Sequence, residues 1–311
     1  MKYNNFKVNT VLVGIICMLV AFVLIVKIHT YFYQTSYVGV EGFTDTQRYV
    51  LKTNIDLYDN FYASIYDELV YSNIKNEFEI GKLVESTNPT SESVILDIGS
   101  GTGHIVNELS ARGFKNVVGI DKSRDMISTA IAKYPKAKFY VADIMNISGF
   151  PLKPSTYTHI LCLYFTFYYI SDKKQFLQNC YTLLKPGGYL LLHLVDRNQF
   201  DPILPPGNPF YILSPQSYAP NRITNTKIAF NGFDYTAEFN LDKPSNVAIF
   251  EESFKDNKTN NVRVNKHTLY MESIPTIMAI IKQTRFIIKE RIDMMECAYD
   301  YQYLYVLYKS A

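Results

Sequence analysis

Asp97, Gly99, Gly101 and Gly103 lie within the stretch VILDIGSGTG, and Asp121 and Asp143 follow in VVGID and VADI. Glycine costs backbone entropy, so three at alternate positions mark a place where something must come close to the main chain. A tight turn alone seldom needs more than one. The spacing departs from the G-x-G-x-x-G pattern of dinucleotide sites, because His104 stands where the third glycine should be. Asp97, ahead of the glycines, would repel a diphosphate but tolerates a ligand with a cationic amino-acid end. Asp121 closes the second apolar run and is placed to accept hydrogen bonds from two ribose hydroxyls, which serves either ligand.

A second set of residues could act on whatever is brought to that ligand. Tyr164, Thr166, Tyr168, His193 and Asp196 fall at the ends of the fourth and fifth apolar runs, where open parallel sheets bind substrates. His193, Tyr164 and Tyr168 are the catalytic candidates. His193 titrates near neutrality and is a candidate base, against the plainer reading of a satisfied histidine in an apolar strand. Tyr164 and Tyr168 read as pocket wall, able to face a cation through their rings. Tyr58 and Tyr62 could close over the ligand, although helical core packing is the simpler reading. His267 is expected at the surface, with acceptor contact as its alternative. The four cysteines form no C-x-x-C pair, and no His/Cys cluster has metal-ligand spacing, so no metal is expected.

These groups need a scaffold. Apolar runs alternate with helix-period segments from Val94 to Asp196, which predicts parallel strands joined by right-handed crossovers. Two helices are expected before the first strand, with Val50 on the apolar face of the earlier one. Ser123 is expected to cap RDMISTAIAKY, and KPGG at 185–188 to lead into the fifth strand. Prolines crowd Pro202–Pro220 and exclude regular structure there. FDYTAEFNL then alternates cleanly and opens an antiparallel meander that would cap the sheet. Two strands near Phe286–Asp293 and Tyr301–Tyr308 finish the chain.

At the front, VLVGIICMLVAFVLIV is unbroken by charge, and Val8–Ile28 would span roughly 30 Å as a helix. The expectation is a single-pass membrane anchor over residues 1–29, a tether over 30–46, and a folded domain over 47–311 with an inserted cap at 200–272. Flanking lysines lean towards a cytosolic N-terminus, whereas a cytosolic metabolite as ligand favours a cytosolic folded domain. A net charge of +2 with scattered lysines gives no nucleic-acid footprint, and oligomeric state is not legible.

The ordered motifs LDIGSGTG, VGIDKS, VADI and LLKPGGYLLLH resemble those of class I S-adenosylmethionine-dependent methyltransferases. The resemblance covers about Tyr58 to Tyr308. It implies a Rossmann-like, seven-stranded, mostly parallel α/β sheet with helices on both faces and Tyr301–Tyr308 inserted antiparallel between neighbours. It implies S-adenosylmethionine as cofactor: Asp97, Gly99, Gly101 and Gly103 around its methionine part, Asp121 on the ribose, Lys122 or Met126 near the adenine, Asp143 on the adenine amine and Ile144 against the ring. The acceptor side transfers least, because Tyr168 and Tyr169 stand where related small-molecule enzymes often carry histidines. The implied activity is methyl transfer to a small-molecule or lipid-like acceptor by a membrane-tethered enzyme. A non-catalytic, membrane-anchored binding protein that keeps the fold is the alternative.

Overall fold

The computed structural model describes residues 15–24, 48–204, 216, 219–230 and 232–310. The chain divides into two compact units, residues 1–41 and 42–311. In the first, residues 15–24 are helical, α1. No helix among the described residues is long and apolar enough to cross a membrane. The expected single-pass localisation is therefore corrected, and the transmembrane helix and membrane partnership expected with it are not shown among the described residues. The remainder of the anticipated span and the tether at 30–46 lie outside the described residues.

In the second unit, the alternating segments form the expected sheet. Its strands are β2 (Val94–Ile98), β3 (Asn116–Asp121), β4 (Lys138–Val141), β5 (Tyr157–Cys162), β6 (Leu184–Val195), β11 (Phe286–Asp293) and β12 (Gln302–Lys309), ordered β11-β12-β6-β5-β2-β3-β4. β12 runs antiparallel between β6 and β11, and the pairs among β2 to β6 are parallel. The pleat sorts side chains to two apolar clusters, one per face. Leu190, Leu192 and Leu194 of β6 join Phe176, Leu177 and Cys180 of α6 (Lys173–Leu183) and Ile277 of α7 (Ile274–Lys282). Leu191 turns the other way, to Leu83 of α3 (Asn73–Thr87), Leu109 of α4 (His104–Ala111) and Ile127 of α5 (Arg124–Lys133). Ser123 caps α5 by accepting from Met126 N at 3.1 Å. Cys162, Cys180 and Cys297 are buried free thiols.

The cap is a separate five-stranded sheet, ordered β1-β10-β9-β8-β7. β7 (Asn225–Ala229), β8 (Phe233–Asp242), β9 (Val247–Asp256) and β10 (Val262–Tyr270) form an antiparallel meander. Phe233, Tyr235, Ala237 and Phe239 of β8 are buried, as their alternation requires. Tyr49–Thr53, expected as helix, is instead strand β1 and pairs parallel with β10. The free edge of β10 supplies ladder hydrogen bonds that override the helical spacing of Val50, and β-branched Val50 and Thr53 suit a strand. The cap therefore draws on residues before the main sheet as well as after it. A 3₁₀ turn (Asn54–Leu57) then leads to α2 (Asn60–Val70).

Arg263 of β10 fastens the cap to that entry. Its Nη1 lies 2.9 Å from Oδ2 of Asp59, Nη2 donates to Leu57 O at 3.0 Å, and Nε donates to Asn265 Oδ1 at 2.9 Å. Asp59 in turn caps α2 by accepting from Tyr62 N. Arg263 is buried, and its guanidinium lies 4.6 Å from the Phe61 ring centroid. Removing it leaves several acceptors without a donor. Arg263→Met should cost about 3 kcal/mol in urea unfolding, and Arg263→Lys should restore only part, because an ammonium cannot bridge all three acceptors at once.

Candidate active site

The glycine loop is built by main-chain bonds to the neighbouring strand. Gly99 N and Ser100 N both donate to Ile120 O, at 2.8 and 2.9 Å, and Gly101 N donates to Oδ2 of Asp121 at 3.0 Å. Oδ1 of the same carboxylate accepts from Ser123 N at 2.8 Å. Gly99 and Gly101 have φ of 70° and 52°, which L side chains rarely adopt. Both line a cavity of about 630 Å³ at the carboxyl ends of the strands. A Cβ on Gly101 would meet only Tyr66, at 3.5 Å, so the missing side chain leaves room for a ligand against the backbone. Gly103 does not line the cavity. A Cβ there would lie 2.6 Å from the Phe139 ring, so its glycine serves strand–helix packing. His104 bonds Asp67 at 2.8 Å through Nε2 and the Tyr134 hydroxyl at 2.9 Å through Nδ1, tying α4 to α2 and α5.

Asp97, Asp121 and Asp143 open onto this one cavity, together with Lys122, Met126 and Ile144. Burial, then the carboxyls of Glu79 and Asp121, push the Asp97 carboxyl up to about 8 against the pull of Lys75. Burial also raises Asp121, against the backbone N–H groups that it accepts. Asp143 is paired with Lys122 at 2.9 Å through Oδ2, and its Oδ1 accepts from Met145 N at 2.9 Å. Met126 and Ile144 are buried apolar wall. Asp67, which the sequence did not single out, also lines the cavity. Burial would raise its carboxyl, but His104, Lys133 and Thr102 outweigh that and hold it at about 2.

The acceptor-side candidates divide. Tyr164 and Thr166 line the cavity, as do Tyr58 and Tyr62 and the unforeseen Tyr66. Tyr164 adopts φ 51°, and Nζ of Lys75 sits 5.5 Å from its ring centroid. His193 and Tyr168 do not reach the cavity. The pleat turns His193 towards α3, 3.6 Å from Glu79, with Nε2 3.0 Å from Oε1 of Gln302. Burial and Lys75 hold the ring neutral, down to about 3. The Tyr168 hydroxyl accepts from Val195 N at 2.8 Å inside the core. Asp196 closes a turn by accepting from Asn198 N and Gln199 Nε2. His267, expected at the surface, is 2% exposed and lines the cavity. Phe200, Leu204, Phe239, Phe250 and Leu269 make the neighbouring wall apolar.

Two consequences are measurable. A Cβ on Gly99 would lie 2.4 Å from Oγ1 of Thr166, so Gly99→Ala should cost about 2 kcal/mol, and adding Thr166→Ala should return part of it in urea unfolding. Because the folded-state pKa of Asp97 is raised, the unfolded chain releases its proton first and stability falls as pH rises towards about 8. Asp97→Asn should gain on the native chain over that range, by at most about 1.4 kcal/mol per pH unit.

Residues 95–188 match the model of a methyltransferase domain family. The ubiquinone biosynthesis O-methyltransferase of Rickettsia canadensis is 31% identical over 125 residues, 40% of this chain and 52% of that protein. A ubiquinone/menaquinone biosynthesis C-methyltransferase of Wigglesworthia glossinidia brevipalpis is 33% identical over 116 residues, 34% of this chain and 44% of that protein. The chain thus spans about half the length of the curated relatives it matches. Among solved structures, an S-adenosylmethionine-dependent methyltransferase from Clostridium acetobutylicum shares the fold with a TM-score of 0.62 at 21% identity, covering 81% of this chain and 99% of that one. The CcbJ methyltransferase of Streptomyces caelestis superposes with a TM-score of 0.61 at 14% identity, over 82% and 98%. Fold and family match agree with the motif order, and the chain carries a class I S-adenosylmethionine-dependent methyltransferase domain, with S-adenosylmethionine as its cofactor.

Proposed function

We propose that this chain transfers a methyl group from S-adenosylmethionine to a small, largely apolar acceptor held beneath the cap. The observation that carries this reading is the convergence of the glycine loop, Asp121 and Asp143 on the cavity into which the cap also projects. The residues present suit the cofactor. The open face of Gly101 admits a ligand against the main chain, and buried Asp97 gains a counter-charge when a cationic amino group approaches. Asp121 would take the ribose hydroxyls, with Gly101 N and Ser123 N fixing its orientation. Asp143 would accept from the adenine amine, Ile144 and Met126 would flank the ring, and Lys122 holds Asp143 in place.

The cofactor, when bound, supplies a methyl group activated on a sulfonium, whose departure leaves a neutral thioether. The chain's work is then to hold the acceptor in line and to exclude water. Tyr58, Tyr62, Tyr66 and Tyr164 supply ring faces suited to a cationic centre. Phe200, Phe239 and Phe250 offer the acceptor apolar surface and no charge. The family match covers residues 95–188 and none of the cap strands, so the acceptor is read from the cavity wall rather than from the quinone named in the relatives.

S-Adenosylhomocysteine at a hundredfold excess over its Kd should stabilise the protein by about 2.7 kcal/mol, a thermal shift of roughly 5 °C. Asp121→Ala should lose that shift. Absence of any shift with millimolar S-adenosylmethionine or S-adenosylhomocysteine ends the proposal.

A further inference from the structure

A continuous line of polar groups crosses from the main sheet into the cap at the acceptor end of the cavity. Tyr169 lies in the turn after β5, His267 on β10 and Glu252 on β9. In the β9–β10 ladder His267 faces Phe250 and Asn265 faces Glu252, so His267 and Glu252 are diagonal neighbours on one face. The Tyr169 hydroxyl is 2.6 Å from Nδ1 of His267, and Nε2 of His267 is 2.7 Å from Oε2 of Glu252. Oε1 of Glu252 accepts from the Tyr235 hydroxyl at 2.8 Å. Tyr58, Tyr169 and His267 line the cavity, and Glu252 stands wholly buried behind them.

Burial sets the direction of this chain. A fully buried carboxylate requires donors, and the two within reach are the Tyr235 O–H and the His267 Nε2–H. With Nε2 carrying the proton, Nδ1 of a neutral imidazole is an acceptor and receives the Tyr169 O–H. The Tyr169 oxygen accepts from the Tyr58 hydroxyl and keeps one lone pair for the cavity. Burial holds its phenol well above the ordinary range, so Tyr169 passes protons and does not store charge. The groups facing His267 are Glu252 from β9, Tyr169 from the turn after β5, Tyr58 from the 3₁₀ turn's end and Tyr62 from α2. Tyr235 from β8 acts through Glu252, while Tyr66 and Asp121 act on Tyr58. A positive charge on His267 would therefore sit among phenols and carboxylates.

We propose that Tyr169, His267 and Glu252 are the proton-accepting device of the acceptor subsite, and that the acceptor is a neutral hydroxyl compound, an alcohol or phenol. The inference rests on the methyltransferase reading. As the acceptor O–H bond breaks, its electron pair stays on oxygen and forms the bond to the methyl carbon, while the carbon–sulfur pair leaves with sulfur. The acceptor proton goes to the Tyr169 oxygen, and the Tyr169 proton goes to Nδ1 of His267. The imidazolium formed beside Glu252 returns its proton to water after product leaves. Tyr169 touches the acceptor, and Glu252 positions and charges His267.

The test uses the full-length protein saturated with S-adenosylhomocysteine and the chromophore 4-nitrophenol as acceptor probe. Its absorbance reports ionisation directly, without turnover. Below the probe's own pKa, binding should raise its ionised-to-neutral ratio about tenfold or more, one pKa unit of added stabilisation. His267→Gln and Tyr169→Phe should each abolish the rise, with the thermal shift by S-adenosylhomocysteine retained. Glu252→Gln should weaken it. A merely structural bridge would lower the melting temperature in these variants and leave bound-probe ionisation unchanged. Equal ionisation in wild type and both variants, or no binding of the probe by a protein that S-adenosylhomocysteine stabilises, overturns this proposal alone. Failure of S-adenosylhomocysteine to stabilise the wild type overturns the methyltransferase reading with it.

Discussion

The Asp121 carboxylate is the constraint on which the site depends. One oxygen accepts from Gly101 N and the other from Ser123 N, so a single side chain fixes both the glycine loop and the start of α5. The loop it closes must turn through left-handed backbone at Gly99 and Gly101, and Thr166 presses against the first of these from the far side of β5. Three successive strand ends are thereby locked at one height. Asp121 still faces the cavity with acceptor capacity unused, since a carboxylate has about four acceptor sites and the backbone N–H groups of Gly101, Lys122 and Ser123 take three at most.

Below the loop lies a set of buried ionisable groups that the sequence does not connect. Glu79 and Lys75 of α3 pair at 2.8 Å, His193 stands 3.6 Å from Glu79, and Asp97 feels both carboxyls. Oε1 of Glu79 and Nδ1 of His193 have no hydrogen-bond partner. A compact excess of acid beneath a pocket favours a cation above it, because each buried carboxylate is held short of full ionisation until a counter-charge arrives.

The sequence made the main sheet legible because its strands are local: each apolar run is bounded by turn chemistry, and the pleat of β6 repeats every two residues. The glycine loop was legible for the same reason, since its residues are neighbours in the chain. Long-range pairing was not. Tyr49–Thr53 is a strand only because β10 offers an edge more than two hundred residues later. His193 was misplaced by its position in the chain, as nothing in LLLHLV tells which side of the pleat faces α3. Tyr169, His267 and Glu252 are likewise far apart in the chain, 98 residues separating the first two, and His267 alone reads as a surface histidine. Only the folding of the cap over the sheet makes them one device.

The parallel pairing of β1 with β10 has a consequence for how this domain can change. A strand's side chains alternate in direction, so a one-residue slip of β1 along β10 would exchange its two faces. β1 runs without a break into the turn that delivers Tyr58 to the cavity, and Tyr58 lies edge-on to Tyr169 and His267. Alignment of the outermost cap strand and placement of a ring beside the reacting groups are thus one mechanical fact. Insertions between residues 53 and 58 would detune both together, whereas the tip joining β8 to β9 is free to drift in length and composition.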